Sequence, residues 1–260
     1  MPGYDWISLT TDFGLSDGFV AACHGVIARI APAVRVIDVT HEVPPGEVAR
    51  AAAVLAQTVP HLPPAVHVAV VDPGVGTSRR AVVLQTPNGL LVGPDNGLLP
   101  GAAHALGGVQ KAVELTNDEW FAHSVSPTFH GRDVFAPSAA HLALGAELDT
   151  AGSTVDPDTL VRLPEPVFAV GEGWIEAEVL TVDRFGNVQL AAPGEALGGL
   201  GATLTVGGMR AARATTFGDG TPGQLVAYVD SADRVAIAIN GGRAVVALAV
   251  TPGDVLRISG

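Results

Sequence analysis

The chain has 260 residues, of which 48% are hydrophobic and only 15% charged, with a formal net charge of −12 at pH 7. This composition excludes a disordered chain, and the length suffices for one large domain or two smaller ones, of which we favour two. The acidity argues against a nucleic-acid partner, because binding to phosphates requires clustered Lys and Arg. A cationic small ligand and an ordinary acidic surface are both compatible with the charge.

Cys23 is the only cysteine, so an intramolecular disulfide and a thiolate metal cluster within one chain are excluded. We expect a cytoplasmic protein and interpret Cys23, within the apolar run FVAACHGVIARIA, as a small buried thiol. The opening MPGYDWISLTTDFG lacks the features of a signal peptide, and no apolar run reaches transmembrane length. The sequence therefore predicts a soluble protein without a membrane partner.

From Ile7 to about Leu148, short β-branched runs alternate with Ala-rich runs, which predicts strands alternating with helices. The predicted strands are WISLTTD, VRVIDVT, VHVAVVD and AVVLQT, and the predicted helices are FVAACHGVIARIA and VARAAAVLAQTV. This order is typical of βαβ units and predicts an α/β domain with a largely parallel sheet. Asp12, His41 and Asp72 fall at carboxyl ends of strands, where open α/β sheets bind ligands.

The Pro- and Gly-rich segment LPEPVFAVGEG interrupts this pattern. We assign residues 1–163 to an N-terminal α/β domain, residues 164–173 to a linker and residues 174–260 to a smaller C-terminal domain. Short strands separated by Gly-rich turns predict an antiparallel, barrel-like β domain there. The predicted strands are WIEAEVLTVD, NVQLAA, ATLTV, QLVAYVD, RVAIAIN, AVVALAV and DVLRIS.

The segment TFHGRDVFAP, at residues 128–137, places His130, Arg132 and Asp133 around Gly131 just before an apolar helical run. Burying such groups without partners is costly, so a site is a better interpretation than an ordinary core segment. Its companion is the upstream segment VDPGVGTSRR, in which Asp72 ends an apolar run and two arginines follow. The two segments together predict a constellation of Asp, Arg and His.

Two further turns carry polar residues that could bind a ligand. In TTDFGLSDGF, Asp12 and Asp17 could accept hydrogen bonds from sugar hydroxyls or cap the following helix, and we favour a functional role for Asp12. In DRFGNVQL, Asn187 could bond a purine edge while Phe185 stacks on it. A plain hairpin turn is the alternative for the second segment.

The sequence contains no P-loop, GxGxxG or HExxH motif. A hard-metal phosphatase site built from Asp12, His41, Asp72 and His130 remains a minor alternative. The other histidines that we considered are interpreted as surface or structural residues: His61, His67, His104, His123 and His141.

The motifs TTDFG, DPGVGTSR, PDNG, TFHGRD and DRFGN occur in this order over nearly the whole chain. The set resembles the S-adenosyl-L-methionine (SAM) hydroxide adenosyltransferases, the adenosine-forming SAM hydrolases related to fluorinase and chlorinase. The resemblance implies that water or hydroxide attacks C5′ of the SAM ribose and releases adenosine and L-methionine, without a metal or cofactor. It also implies that Asp72, Arg79 and His130 hold the water, and leaves open which of them is the base.

Halogenases of this family carry Tyr, Thr and a halide-contacting Ser where this chain has Asp72, Val75 and Gly131. Each departure removes a halide-binding group, and a carboxylate would also repel an anion, so the resemblance favours hydrolysis. A SAM-dependent halogenase and a non-catalytic sensor of SAM or adenosine are the alternatives.

The resemblance implies six SAM-binding residues: Asp12 for the ribose, Phe185, Asn187 and Gly241 for the adenine, and Asp183 and Ser231 for the methionine end. This chain departs from the halogenases at Ala232, where they have Arg, and at Gly46, where they have Trp. The family members are trimers with sites between the N-domain of one subunit and the C-domain of its neighbour. We therefore expect a homotrimer with SAM, adenosine and L-methionine as its ligands.

Overall fold

The computed structural model describes residues 3–260, which fold as two compact units divided between Leu163 and Pro164. The first unit has helices on both faces of a seven-stranded sheet, and the second is a β-barrel. None of the helices in residues 3–260 combines the length and the apolar character needed to cross a membrane.

The first unit confirms the predicted α/β fold. Its strands are β1 (Trp6–Thr11), β2 (Arg35–Thr40), β3 (Ala65–Val70), β4 (Ala81–Thr86), β5 (Gly89–Pro94), β6 (Lys111–Leu115) and β7 (Gly152–Val155). Its helices are α1 (Phe19–Ile30), α2 (Val48–Thr58), α3 (Pro100–Ala105) and α4 (Ala136–Ala143). The sheet order is β2-β1-β3-β5-β4-β6-β7. Strands β2, β1, β3 and β5 pair in parallel, and the β5–β4, β4–β6 and β6–β7 pairs are antiparallel.

Two hydrophobic cores cover the two faces of this sheet. Helices α1 and α4 supply one core, and α2 and α3 supply the other. Alternate residues of β3 enter opposite cores, so all six of its residues are buried, as expected for a central strand covered on both faces. Cys23 lies in the α1–α4 core, where burial raises its pKa to about 12, which confirms the predicted buried thiol.

Strand β3 also carries a fully buried histidine, His67. Its Nδ1 lies 2.8 Å from the hydroxyl of Ser8 on β1, and burial lowers its pKa to about 4. The ring is therefore neutral at pH 7, in agreement with the structural role predicted for this residue.

The second unit contains β8 (Phe168–Gly171), β9 (Trp174–Val182), β10 (Val188–Pro193), β11 (Thr203–Val206), β12 (Met209–Arg213), β13 (Leu225–Val229), β14 (Arg234–Ile239), the helix α5 (Ala244–Leu248) and β15 (Val255–Ser259). Seven strands form a ring in the order β10-β14-β13-β12-β11-β15-β9, and the β9–β10 pairing closes it. Strand β8 pairs with β9 outside this ring. All pairs are antiparallel except β12–β13. Residues of β9 alternate between buried and half-buried, as expected of a strand with one face in a barrel interior.

In the second unit, the structure corrects the prediction in one segment and adds two strands, β8 and β12. AVVALAV, predicted as a strand, contains the short helix α5, which ends at Ala249 in a left-handed conformation (φ 52°). Its valines suggested a strand, but the amide N–H of Val245 donates to the carbonyl of Gly186 instead of joining a β-ladder. The segment 164–173, predicted as a linker, contains β8.

Candidate functional site

The first candidate site lies where β1 and β3 end side by side. Thr11 pairs with Val70 in the parallel register, so Asp12 and Asp72 leave the sheet at the same edge. A cavity of about 330 Å³ opens at this edge. It is lined by Asp12, Phe13, Gly46, Val70, Asp72, Pro73, Val75 and residues 128–131.

Asp72, Arg79 and His130, which we call the nucleophile cluster, form a continuous hydrogen-bonded chain. Nε of Arg79 donates to both carboxylate oxygens of Asp72, at 2.9 and 3.1 Å, and Nη2 donates to Oδ2 at 2.5 Å. The same Nη2 lies 2.8 Å from Nδ1 of His130. The side chains of Asp72 and Arg79 are only 5% and 12% exposed, so solvent screens this ion pair weakly.

The protonation state of His130 follows from this geometry. A guanidinium can only donate, so Nδ1 of His130 accepts and the neutral ring carries its proton on Nε2. Burial, followed by the positive charge of Arg79, lowers the pKa of His130 and outweighs the opposing carboxylates of Asp72 and Asp133. At neutral pH, His130 therefore has an Nε2–H group available to a ligand.

The loop that carries Asp72 and Arg79 is shaped by a glycine. Gly76 has φ 76°, and a Cβ atom there would lie 2.4 Å from the carbonyl oxygen of Pro127. Only glycine permits this backbone conformation and this close approach. The approach brings the loop against the segment that precedes His130, so the arginine and the histidine can meet.

His130 lies directly before a π-helical turn, Gly131–Phe135, that continues into α4. Such turns are rare and are found frequently at functional sites. A Cβ atom at Gly131 would lie 2.7 Å from the ring of Phe13, so the glycine permits the packing of this aromatic side chain. Phe13, Phe19 and Phe129 form an edge-to-face cluster with ring centroids 5.2–6.4 Å apart.

Of the polar residues that surround Gly131, Arg132 and Asp133 pair with each other and lie outside the residues that line the cavity. Arg132 donates to both carboxylate oxygens of Asp133 at 2.6 and 2.8 Å, and the amide N–H of Ser126 donates to Oδ2. Burial raises the pKa of Asp133, but the hydrogen bonds from Arg132 and Ser126 outweigh it, so the net pKa is lowered. This pair secures the segment around His130.

The two consecutive arginines of VDPGVGTSRR point to different partners. Arg79 joins the nucleophile cluster, whereas Arg80 donates to the carboxylate of Asp95 and to the carbonyl oxygen of Thr159. Asp95, in the PDNG motif, is thus an ion-pair partner with a second contact from the amide N–H of Val161.

The structure separates His41 from the other three residues of the metal set considered from the sequence. Asp12, Asp72 and His130 line the cavity, and Oδ2 of Asp12 accepts a hydrogen bond from the amide N–H of Gly46 at 2.9 Å. His41 instead lies buried beside Thr11 and Asp38. His24 and Asp38, which the sequence did not single out, are its neighbours.

A second group of predicted residues occupies turns at the rim of the barrel. Oδ1 of Asp183 accepts hydrogen bonds from the amide N–H groups of Phe185 and Asn187, both at 2.9 Å, and Oδ2 accepts one from Nδ2 of Asn187. The turn includes Gly186 at φ 85°. It leaves the ring of Phe185 75% exposed, which suits a side chain that stacks on a ligand.

Two more turns carry predicted residues: residues 240–243 lie beside the first turn, and residues 230–234 lie at the other end of β14. Ser231 is exposed in the turn between β13 and β14, and Nε2 of Gln189 donates to the neighbouring Asp230 at 2.6 Å. Gly241 (φ 76°) precedes Arg243, whose Nη1 donates to the carbonyl of Arg184. We call residues 183–187, 230–234 and 240–243 the rim turns, and the five predicted residues of the second unit lie in them.

Comparisons with known proteins identify the family of this chain. The SAM hydroxide adenosyltransferase N-terminal domain matches residues 7–152, and the C-terminal domain of the same family matches residues 177–257. The crystal structure of an uncharacterized conserved protein from Thermotoga maritima superposes with a TM-score of 0.91 at 38% identity, covering 98% of this chain and 100% of that one.

Curated relatives indicate the same family. The chain is 65% identical to the (R)-S-adenosyl-L-methionine hydrolase of Salinispora arenicola, over 100% of this chain and 99% of the relative. It is 43% identical to the enzyme of the same name from Thermus thermophilus, over 95% and 97%. A fluorinase from Nocardia brasiliensis is 27% identical, over 90% of each chain. The chain therefore belongs to the SAM hydroxide adenosyltransferase family.

Proposed function

We propose that this protein hydrolyses SAM to adenosine and L-methionine by attack of water at C5′ of the ribose. The observation that carries the proposal is the nucleophile cluster, a partly buried Asp–Arg–His chain at the edge of a cavity, in a member of this family. Because three relatives at 43–65% identity are named (R)-SAM hydrolases, we also propose the (R) sulfonium epimer as the preferred substrate.

The geometry supports a division of labour within the cluster. The Nε2–H group of His130 donates to the oxygen of the attacking water, while a carboxylate oxygen of Asp72 accepts a proton from it. Arg79 holds the other two side chains in place, and its positive charge favours the hydroxide that develops. The new O–C5′ bond forms as the C5′–S bond breaks, and its electron pair moves to sulfur, which leaves as neutral methionine.

The leaving group requires little assistance, because the sulfonium loses its positive charge as it departs. The main contribution of the protein is therefore to orient a water molecule in line with the C–S bond. The carboxylate of Asp72 opposes the entry of a halide to the same position, which supports water over chloride or fluoride as the nucleophile.

Substrate binding is proposed for two groups of residues. Asp12, at the cavity, is proposed to bind the ribose hydroxyls. The rim turns are proposed to bind the rest of SAM, with Phe185, Asn187 and Gly241 at the adenine and Asp183 with Ser231 at the methionine end. The exposure of Phe185 and the acidic surroundings of Tyr228, whose pKa is raised by burial and then by Asp183 and Asp230, suit a ligand that is aromatic and cationic.

We also propose that the protein is a cytoplasmic homotrimer with its sites at subunit interfaces, and that it needs no metal or cofactor for turnover. Light scattering coupled to size-exclusion chromatography measures the mass of the assembly directly. A mass of one or two chains at catalytic concentrations would contradict the trimer.

The decisive experiment is chromatography of EDTA-treated protein incubated with each SAM epimer, with and without chloride. We expect adenosine and methionine in equal amounts from (R)-SAM, independent of chloride. A chloride-dependent chlorinated nucleoside would instead establish a halogenase, and SAM that binds but remains unchanged would establish a sensor.

A further inference from the structure

A cluster of metal-ligating side chains lies in the first unit, apart from the nucleophile cluster. It contains His24 on α1, Asp38 on β2 and His41, which follows β2. The Nε2 atoms of both histidines approach the same carboxylate oxygen, Oδ1 of Asp38, at 2.8 Å for His24 and 3.1 Å for His41. One ligand atom from each residue lies within 4.8 Å of the others.

The buried member of this cluster is incompletely satisfied. His41 is only 4% exposed, and its Nε2 makes no hydrogen bond despite its proximity to Asp38. A buried polar atom without a partner costs free energy, so its presence calls for a ligand or another explanation. The atom lies 3.1 Å from a carboxylate oxygen of Asp38, and a cation bound to both groups would satisfy both.

The surroundings of His41 match those of a metal ligand. Its Nδ1 lies 2.8 Å from the hydroxyl of Thr11, and histidines that bind metals through one ring nitrogen usually hydrogen-bond through the other. Two ligand atoms at about 2.0–2.2 Å from a zinc ion, separated by about 90–110° at the metal, lie roughly 2.8–3.6 Å apart. The two His–Asp distances fall within this range.

We propose that His24, Asp38 and His41 form a binding site for a borderline divalent transition metal of the Zn²⁺ class. Two imidazoles and one carboxylate suit Zn²⁺, Ni²⁺ or Co²⁺, whereas Mg²⁺ and Ca²⁺ prefer sites composed of oxygen ligands. Three protein ligands leave at least one position for water. The side chains of His24 and Asp38 are 36% and 43% exposed, so an ion can enter from solvent.

The metal site connects to the cavity edge through the backbone. Thr11, the partner of His41, immediately precedes Asp12, and the amide N–H of Gly14 donates to the carbonyl of His41 at 2.8 Å. A bound ion would therefore fix the segment TTDFG in position. It would act on the stability of this segment rather than on the nucleophile, because Asp72, Arg79 and His130 are not its ligands.

The test is isothermal titration of tag-free, EDTA-treated full-length protein with Zn²⁺, and separately with Ni²⁺ and Mg²⁺. We expect saturable binding of one Zn²⁺ or Ni²⁺ per chain, and no comparable binding of Mg²⁺. His24→Ala and Asp38→Asn, both at partly exposed positions, should each weaken Zn²⁺ binding by at least about 100-fold. His104→Ala removes an exposed histidine elsewhere in the same unit and should leave the affinity unchanged.

A spectroscopic measurement makes the test independent of protein stability. Co²⁺ should give a visible d–d absorption band with the wild-type protein and with His104→Ala, but not with His24→Ala. Absence of one-to-one binding to the wild type, or equal affinity in the His24 and Asp38 variants, would overturn the proposal. Adenosine release by the metal-free protein is measured separately, so the fate of this site and that of the proposed hydrolase are distinguishable.

Discussion

The two units of the chain treat polar side chains in opposite ways. Among residues 3–260, ten polar or charged residues are buried, and nine of them lie in the first unit, with Thr181 as the exception. The first unit thus encloses ionisable groups such as His67 and Asp133, whereas the residues of the second unit that we propose to bind SAM lie in half-buried or exposed turns. The difference suggests that the first unit is preorganised for chemistry and the second for ligand contact.

The way in which each region is held together supports this division. In the nucleophile cluster, side chains bond to side chains, so every member depends on the others. In the turn that carries Asp183, the carboxylate accepts two backbone N–H groups, so the turn keeps its shape without help from the exposed Phe185. Substitutions should therefore affect rate in the first region and affinity in the second.

The largest effect is expected from the nucleophile cluster. Arg79→Lys and His130→Ala keep a cation beside Asp72, whereas Asp72→Asn keeps the shape of that side chain but leaves Arg79 without its anion. Each variant should lower kcat by about 10²–10³-fold, because each removes a group that orients or polarises the water. KM should change much less, since these residues are proposed to act on the nucleophile. Steady-state adenosine release gives both constants.

The adjacent Arg80 provides the matched control for this experiment. Arg80→Ala removes the contacts with Asp95 and Thr159, so it should lower the free energy of unfolding while kcat is retained. Equal losses of affinity and rate in the three cluster variants would contradict the proposal that the first unit determines rate and the second determines affinity.

The next effect concerns pH and the buried His67. Its pKa is about 4 in the folded state and about 6.5 in an unfolded chain, so the unfolded chain binds the proton more tightly. Neutral His67 therefore contributes roughly 3 kcal/mol to the free energy of unfolding. This contribution is complete above pH 6.5 and decreases as the pH falls toward 4. Urea unfolding between pH 7 and 4 should show this loss in the wild type, whereas the difference should be absent from His67→Gln.

A smaller effect is expected where the π-helical turn meets Phe13. Gly131→Ser would place Cβ 2.7 Å from the Phe13 ring, so we expect a loss of about 1–3 kcal/mol of stability from overpacking. Displacement of Phe13, which lines the cavity, should also lower kcat roughly tenfold. The control is Gly25→Ser on α1, where an added Cβ would have no heavy atom within 4 Å. Unchanged stability and rate in Gly131→Ser would show that the ring moves freely.

The smallest effect is expected at the rim turns. Phe185→Ala should raise KM about tenfold, the equivalent of one stacking contact with a base, and leave kcat almost unchanged. Phe217→Ala removes another exposed phenylalanine of the second unit, 59% exposed, and should leave both constants unaltered. A fall in kcat without a change in KM for Phe185→Ala would assign this turn a role in the chemical step.

The sequence predicted the α/β fold and the barrel because their periodicities are local. Strands β1 to β3 and helices α1 and α2 follow directly from alternating β-branched and Ala-rich runs. The antiparallel strands β6 and β7 were missed, since β7 is only four residues long and its partner lies about 40 residues away. Helix α5 was mistaken for a strand because its valines carry no information about the turn that precedes it.

The sequence predicted the location of the site better than the partners of its side chains. The letters around His130 indicated a site, but only the resemblance distinguished Arg79 from Arg80, because adjacent arginines have the same local pattern. Arg132 and Asp133 pair with each other, and the amide N–H of Ser126 also donates to Asp133. No rule of sequence spacing reveals these contacts. Likewise, His24, Asp38 and His41 meet only because α1 packs beside β2, a tertiary contact.

The π-helical turn that follows His130 has a consequence for how this segment can evolve. Such a turn contains one residue more than the α-helical turn that it replaces. Deleting that residue would rotate His130 by about 100° around the axis of the following helix and carry its ring away from Arg79. The number of residues between His130 and Ala136 therefore matters as much for the position of the His130 ring as the identity of those residues does. We expect natural variants of this segment to accumulate substitutions while its length stays constant.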